Sequence, residues 1–377
     1  MPPHLLKLVA DVIKLSSREQ PADAVLREEL RAARGLSRAD GAQVSRGVFA
    51  YFRWLGWLHQ SQPLPKQVSL SLELSRRFAN DPTSFPNDEL LARVLPSWIH
   101  DEISITTDLV RALQAEPRLW LRARPGQGRG LAAELGSCEP FGGGPLADIL
   151  EYRGNQDLFR TETFQQGQFE LQDISSQVVG LLCAPNSGET WWDACAGEGG
   201  KTLHLSDLMQ NKGLIWATDR AQWRLQKLKR RAARARVFNF RTVLWDGSAT
   251  LPTRTKFDGI LVDAPCSGMG TWQRNPHARW TTSVNDVREL GVLQKELLAN
   301  VAPATKPGGK LIYSVCTLTQ SETVDVVEDF ERRFPNFQRS DLCNPLMSQA
   351  PPVASFSLLP KESGGNGMFV AAWIRKP

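Results

Sequence analysis

Two cysteines stand where nucleophilic chemistry is possible. Cys266 lies in Asp263-Ala264-Pro265-Cys266-Ser267-Gly268, and Cys316 in Tyr313-Ser314-Val315-Cys316-Thr317-Leu318. Each follows a short apolar run, residues 260–262 and 311–313, that reads as a buried strand. Ligands of an open parallel sheet sit outside the carboxyl ends of its strands. Two thiols delivered there, with an acid and a proline beside one of them, point to a shared pocket. A lone cysteine after a strand is more often a small buried hydrophobe; it is the pair, with Asp263, that favours chemistry.

The turn Asp193-Ala194-Cys195-Ala196-Gly197-Glu198-Gly199-Gly200-Lys201 joins a strand to a helix. Its glycines let backbone approach a ligand closely, and the helix start offers free N–H groups. Its spacing fits neither a phosphate P-loop nor the dinucleotide G-x-G-x-x-G pattern. Acids close the successive strands: Asp219 where a ribose would be held, Asp246 within reach of an adenine amino group, then Asp263. Any one of these is as readily a turn residue. Three in series with the turn fit a ligand carrying ribose, adenine and positive charge but no pyrophosphate, namely S-adenosylmethionine. A thiol suits one methyl acceptor in particular. Cytosine carbon 5 becomes nucleophilic when a thiolate adds at carbon 6. Either Cys266 or Cys316 can attack, and Asp263 can hold the ring edge; spacing does not say which thiol it is.

The elements that position these groups follow from periodicity. Residues 4–17, 22–33, 37–58 and 68–78 read as helices, with Pro21 starting the second, Ser37 capping the third, and residues 62–65 breaking the pattern before the fourth. Shorter helical stretches follow to residue 113. Residues 120–124 alternate like a strand, and glycine-rich loops at 125–130 and 141–145 suggest a small mixed α+β domain over 86–165. From 169 onward strands and helices alternate in a doubly wound α/β pattern, with Ser283 capping a long helix over 285–302. The expected domains are therefore 1–85, 86–165 and 166–377. Arg118, Arg122, Arg124 and Arg129 form a loose basic cluster, and residues 224–236 a dense basic run, each readable as a solvated face or a phosphate track.

The whole composition is compatible with this. The 377 residues carry a net charge of +5, with 41% hydrophobic and 23% charged residues, ordinary for a soluble protein and permissive of nucleic acid. The six cysteines form no C-x-x-C pair, which gives no basis for a metal site. There is no apolar run of membrane length and no export signal at the start, so a reducing cytoplasm is expected. His100, His204 and His277 have no acid–base partner in the sequence and are read as structural.

These residues resemble the Sun/Fmu-type RNA (cytosine-5)-methyltransferases. The turn from Asp193 to Lys201 is similar to the family's D-x-C-A-x-x-G-G-K, residues 263–268 to D-A-P-C-S-G, and residues 313–318 to Y-S-x-C-[ST]-L. Gln172-Asp173-Ile174-Ser175-Ser176, Arg274-Asn275-Pro276 with Trp280, and Gly367-Met368-Phe369-Val370-Ala371 resemble further segments in the same order. The likeness is dense over 166–377, looser over 86–165, and residues 41–58 look like the NusB-type helical domain of bacterial ribosomal-RNA members, here shortened. The resemblance implies a Rossmann-like S-adenosylmethionine-dependent methyltransferase domain preceded by the small α+β and helical domains. It implies that Cys316 attacks the base and Cys266 assists product release, with Asp263 activating the cytosine. Cys195, Ala196, Gly197, Glu198, Gly199, Gly200, Lys201, Asp219, Asp246 and Asp263 would line the cofactor site. Arg274, Asn275, Arg122 and Arg124 are the candidates to touch RNA. One departure stands out: Gly197-Glu198 replaces the family's Ala-Pro. The expectation is a monomeric cytoplasmic enzyme acting on ribosomal RNA, with transfer RNA as the alternative. A methyltransferase for DNA, protein or a small molecule, and a catalytically silent RNA-binding assembly factor, are the rival readings.

Overall fold

The computed structural model describes residues 1–33, 35–347 and 351–377. The chain divides into two units, residues 1–117 with 267–287, and residues 118–266 with 288–377. The first unit holds α1 (Pro3–Leu15), α2 (Ala22–Ala32), α3 (Arg38–Arg53), α4 (Leu64–Asn80), α5 (Asn87–Arg93) and α6 (Thr107–Gln114). Leu5, Val9, Val12 and Ile13 of α1 are buried in one stripe, at the spacing an amphipathic helix demands. Ser37 caps α3 by accepting the Asp40 N–H, as its position predicts. The helix expected to reach residue 58 stops at Arg53 and tightens into a short 3-10 turn over Leu55–Trp57. There Gly56 lies against the Arg93 backbone so closely that a Cβ would meet its carbonyl oxygen at 2.1 Å. The Pro63–Pro65 stretch, read as a breaker, is the start of α4, whose first turn accepts Pro65. The first unit also takes in the helices between 87 and 114, so it runs past the expected boundary at 85.

The second unit opens with a four-stranded antiparallel sheet of β1 (Leu119–Ala123), β2 (Cys138–Pro140), β3 (Ile149–Tyr152) and β4 (Phe169–Leu171), in the order β2-β3-β1-β4. Helices α7 (Gly128–Leu135) and α8 (Glu162–Gln165) fill its connections. Then come α9 (Ile174–Cys183), β5 (Thr190–Asp193), α10 (Gly200–Leu208), β6 (Leu214–Asp219), α11 (Gln222–Arg234), β7 (Phe240–Leu244) and β8 (Phe257–Asp263). The short α12 (Ala278–Thr281) belongs to the first unit, and α13 (Val284–Val301) passes from the first to the second. The chain ends with β9 (Thr305–Val315), α14 (Val324–Arg333), β10 (Phe337–Arg339), β11 (Ser355–Leu358), α15 (Pro360–Ser363) and β12 (Met368–Arg375).

The large sheet has the order β10-β12-β9-β8-β5-β6-β7, with β11 also on β12. Strands β5 to β9 run parallel, and β12 returns antiparallel to β9. Strand alternation sends neighbouring residues to opposite faces. Trp192, Ile260, Val262, Leu311 and Tyr313 join Leu297, Leu298 and Val301 of α13 and Phe330 of α14 in one core. Trp191, Leu261 and Ile312 join Val178 of α9 and Leu205 of α10 in the other. Helices thus cover both faces, which is what an apolar parallel sheet needs to be stable in water. Among the described residues, no helix is long and apolar enough to cross a membrane.

Within the first unit, buried Arg279 holds residues 267–287 in place. It donates to the carbonyls of Val94 (3.1 Å) and Leu113 (2.9 Å) and to Gln114 Oε1 (2.8 Å). Trp280 donates to Phe52 O at 2.7 Å, and Arg53 to Gln273 O at 3.0 Å. In the second unit, Gly259 of β8 is set by close packing: a Cβ there would lie 2.3 Å from the ring of fully buried Trp191. Gly259→Ala should therefore destabilise the protein by about 1–3 kcal/mol through overpacking, read as a lower urea midpoint at unchanged m-value. An unchanged midpoint would show that the Trp191 ring can yield.

Candidate active site

Strand β5 is followed outward by β6 and β7 on one side and by β8 and β9 on the other, so the connection reverses between β5 and β8. The crevice at such a reversal is where open α/β sheets bind ligands. Two loops leave the sheet at this point: residues 194–199 after β5, and residues 264–266 after β8. Ala194 N donates to Leu261 O at 2.9 Å, and Ala264 N to Ser314 O at 3.0 Å, so both loop starts are anchored to neighbouring strands.

The loop after β5 is shaped by backbone geometry. Gly197 and Gly199 have φ of +56° and +87°, the left-handed region that favours glycine. A Cβ on Gly199 would sit 2.5 Å from Leu228 of α11. Asp219, at the end of β6, accepts the N–H of Gly197 (3.0 Å) and of Ala221 (2.8 Å), and pairs with Arg224 (3.2 Å). Asp193 is completely buried. Its Oδ2 accepts from Thr202 Oγ1 at 2.6 Å, while Oδ1 has no partner among the described residues. Burial first, and the nearby Asp263 charge, push the Asp193 carboxyl up to about 7 against the opposing Thr202 bond and Lys201 charge.

The two thiols meet. Cys266 Sγ and Cys316 Sγ are 3.2 Å apart, each partly exposed. Asp263 stands at their base: Oδ2 accepts Lys201 Nζ at 2.5 Å and Oδ1 accepts Ser314 Oγ at 2.9 Å. Burial lowers the affinity of Lys201 for its proton, but Asp263 more than offsets this, and the ammonium is held above its ordinary range. One carboxylate therefore links the turn after β5, the end of β8 and the end of β9. Behind them Gln294 donates to Pro265 O (2.9 Å) and Glu322 Oε1 (3.0 Å), fixing the proline before the first thiol.

The sequence-predicted residues are thus brought together in part. Cys266, Cys316, Asp263, Lys201 and the turn from Cys195 to Gly200 with Asp219 form one constellation in the second unit. Arg274 and Asn275 lie on the segment that belongs to the first unit. Asp246 is exposed and accepts the Ser248 N–H at 2.9 Å, so its side chain serves its own turn. Glu198 turns to Lys227, at 2.7 Å. Arg122 and Arg124, expected to face RNA, point inward. Arg122 is 3% exposed and pairs with Asp207; Arg124 pairs with Asp207 (2.8 Å) and Glu170 (3.4 Å). β1 buries four of its five residues, Arg122 among them, so this cation had to find a carboxylate within the fold. The helical basic run is likewise partly spent, Arg231 and Arg234 on Glu170.

Sequence reasoning did not assign Gln172, Ser314, Glu170 and Arg231. Gln172 accepts from Arg122 Nε at 2.7 Å and donates to Gly200 O at 3.4 Å, so it props the turn. The signal for Gln172 and Ser314 lay in the motif segments that contain them; Arg231 was visible only as part of the basic run 224–236, and Glu170 carried none.

The turn, with its left-handed glycines, one unpartnered buried acid oxygen and an excess of carboxylates, fits an adenosyl ligand bearing positive charge. Fold and site define a Rossmann-like methyltransferase domain with paired thiols at its switch point. Residues 180–374 match the family model described as 16S rRNA methyltransferase RsmB/F, and the chain belongs to that family. It is 34% identical over 222 residues to the probable ribosomal RNA small subunit methyltransferase B of Bacillus subtilis, 57% of this chain and 50% of that protein. It is 26% identical to ribosomal RNA small subunit methyltransferase B of Erwinia tasmaniensis over 99% of this chain and 82% of that protein. The chain spans about half the length of the first curated relatives it matches, such as the Bacillus protein. The crystal structure of PH0851 superposes with a TM-score of 0.80 at 21% identity, over 99% of each chain.

The Asp193 shift has a sign that can be checked. A carboxyl near 7 in the folded chain and near ~3.9 unfolded binds more protons when folded, so its contribution to stability is present at low pH and lost as pH rises between the two values. Urea denaturation at about pH 5.5 and 8 should show this loss in the wild type and its disappearance in Asp193→Asn. An identical pH slope in the variant would assign the titration to another group.

Proposed function

We propose that the protein methylates carbon 5 of a cytosine in RNA, with 16S ribosomal RNA as the substrate class and S-adenosylmethionine as donor. The observation that carries this reading is the pair of thiols 3.2 Å apart beside an acid tied to Lys201 and Ser314. The family to which residues 180–374 belong, and the name of its Bacillus relative, support the RNA class. Residues 195–201 and Asp219 would hold the donor, which supplies an electrophilic methyl group. Asp246, exposed and engaged with its own turn, is left at most a place on the rim.

The thiolate of Cys316 forms a bond to carbon 6 of the ring, and the carbon 5–carbon 6 π pair moves to carbon 5. Asp263, paired with Lys201, would accept a hydrogen bond from the exocyclic amino group and so orient the ring. Carbon 5 would then take the methyl group as the methyl–sulfonium bond breaks and the donor leaves as a neutral thioether. Transfer of the carbon 5 proton to a base, the role open to Cys266, would return the electron pair to the ring as the carbon 6–sulfur bond breaks, and Cys316 would leave as thiolate. The 3.2 Å separation of the two sulfurs supports a part for Cys266 in that last step. The helical first unit, with Arg274 and Asn275, is assigned to the RNA side.

Cys316→Ala should lower methyl transfer by about a thousandfold or more and form no covalent RNA complex. Cys266→Ala should still add to the base and accumulate a denaturant-resistant RNA–protein adduct. Labelled methyl transfer to RNA and gel electrophoresis read both outcomes, and normal turnover by Cys316→Ala would sink the assignment. Bisulfite sequencing of RNA from cells with and without the protein identifies the nucleotide.

A further inference from the structure

The turn after β5 holds no proline; Gly197-Glu198 precedes Gly199 and Gly200. Three glycines and no proline leave residues 197–200 with many conformations to lose when a ligand binds. Something else must fix the backbone, and α11 supplies it. Arg231 Nη1 donates to the Glu198 carbonyl at 3.0 Å. Its Nε and Nη2 both donate to Glu170 Oε2, at 3.1 and 2.9 Å. Glu170 is 2% exposed and belongs to β4 of the small sheet, so the guanidinium is anchored on a rigid element. Leu228, one turn earlier on α11, closes on Gly199 from the same helix. Lys227 takes the Glu198 carboxylate.

We infer that Arg231 is a positioning residue for the cofactor turn: Glu170 clamps its guanidinium so that the remaining N–H holds the Glu198 carbonyl before any ligand arrives. The inference rests on reading residues 194–201 as the S-adenosylmethionine site. A turn held in advance costs less to order on binding, so the strut acts on affinity. It also gives the small sheet a part in cofactor binding, through β4, beyond any part in holding RNA. Arg234 is the natural comparison. It donates to the same Glu170 at 2.5 Å and lies over the Phe164 ring at 3.7 Å, but none of its bonds among the described residues reaches the turn.

The test compares Arg231→Met, Arg231→Lys and Arg234→Met in the full chain. Isothermal titration gives the Kd for S-adenosylhomocysteine, and hydrogen exchange in the ligand-free protein reads the amides of residues 197–200. Arg231→Met should raise Kd about tenfold or more and speed exchange at those amides, since it removes a charge-assisted bond from the turn. Arg231→Lys, which keeps a charge but loses the fork, should fall between. Arg234→Met, which shares the Glu170 anchor but bonds to no residue of the turn, should shift both readouts clearly less than Arg231→Met even where it lowers Tm. Unchanged Kd and exchange in Arg231→Met, or equal shifts in both Met variants, would overturn the inference. A wild-type chain that binds no S-adenosylhomocysteine would overturn the proposed function itself, while exchange at the turn still reports separately on the strut.

Discussion

The site depends on the bond between Lys201 and Asp263. Lys201 is 7% exposed, and an ammonium so far from water is tolerated only with a counter-charge in contact. Asp263 provides it at 2.5 Å. Lys201 is the second residue of α10 and Asp263 the last of β8, so the pair joins the turn after one strand to the neck of the thiol loop after the next. Ser314 on β9 occupies the other oxygen. Remove the lysine, and Asp263 would be left without its counter-charge near Asp193, whose proton affinity is raised first by burial and then by the Asp263 charge.

The basic residues follow a different economy from the one their density suggests. Arg122 of β1 and Arg124 just after it meet Asp207 of α10, and Arg231 and Arg234 on α11 meet Glu170 of β4. The burial of Glu170 opposes its ionisation, but the facing arginines hold its carboxyl below the ordinary range. Two carboxylates thus bind four guanidinium groups between the small sheet and two helices of the large one. Such a cluster contributes specificity of docking: a misplaced sheet would strand charge out of water, at a cost far above that of a lost apolar contact. The cations that complete this docking are thereby withdrawn from any phosphate.

Much of the catalytic fold was legible because its strands are apolar and end in acids. Trp191 and Trp192, or Ile260, Leu261 and Val262, need a sheet covered on both faces, and the structure places neighbours in opposite cores. The small sheet was less legible. β2 and β4 are three residues long, too short for alternation to register, and are held by pairing to β3 and β1. Side-chain direction was the other gap. Residue type announces that Arg122 is charged, but only tertiary packing decides that it turns to Gln172 and Asp207. The motif residues escaped this uncertainty where their partners are local: the Asp173 carboxylate caps α9 through Ser175 N at 3.0 Å, and Ser283 and Asp286 exchange bonds at the start of α13.

The path of the chain gives the first thiol its special position. The catalytic unit runs without interruption from Arg118 to Cys266, and the next residue belongs to the helical unit. Residues 267–287 are fixed there by Arg279, which donates to two backbone carbonyls and Gln114 Oε1, by Trp280, which donates to the Phe52 carbonyl, and by the Gln273 carbonyl, which accepts from Arg53. α13 then returns the chain to the large sheet, where Gln294 reaches back to Pro265. Cys266 is therefore held on its amino side by the proline and the sheet, and on its carboxyl side by a segment anchored elsewhere. Cys316, by contrast, directly follows β9, with β8 and β12 pairing that strand on either side. The proposed nucleophile, Cys316, thus has the more rigid station, and addition to a ring carbon tolerates little misalignment. The role proposed for Cys266 asks less of its station, because it acts on a bond already formed.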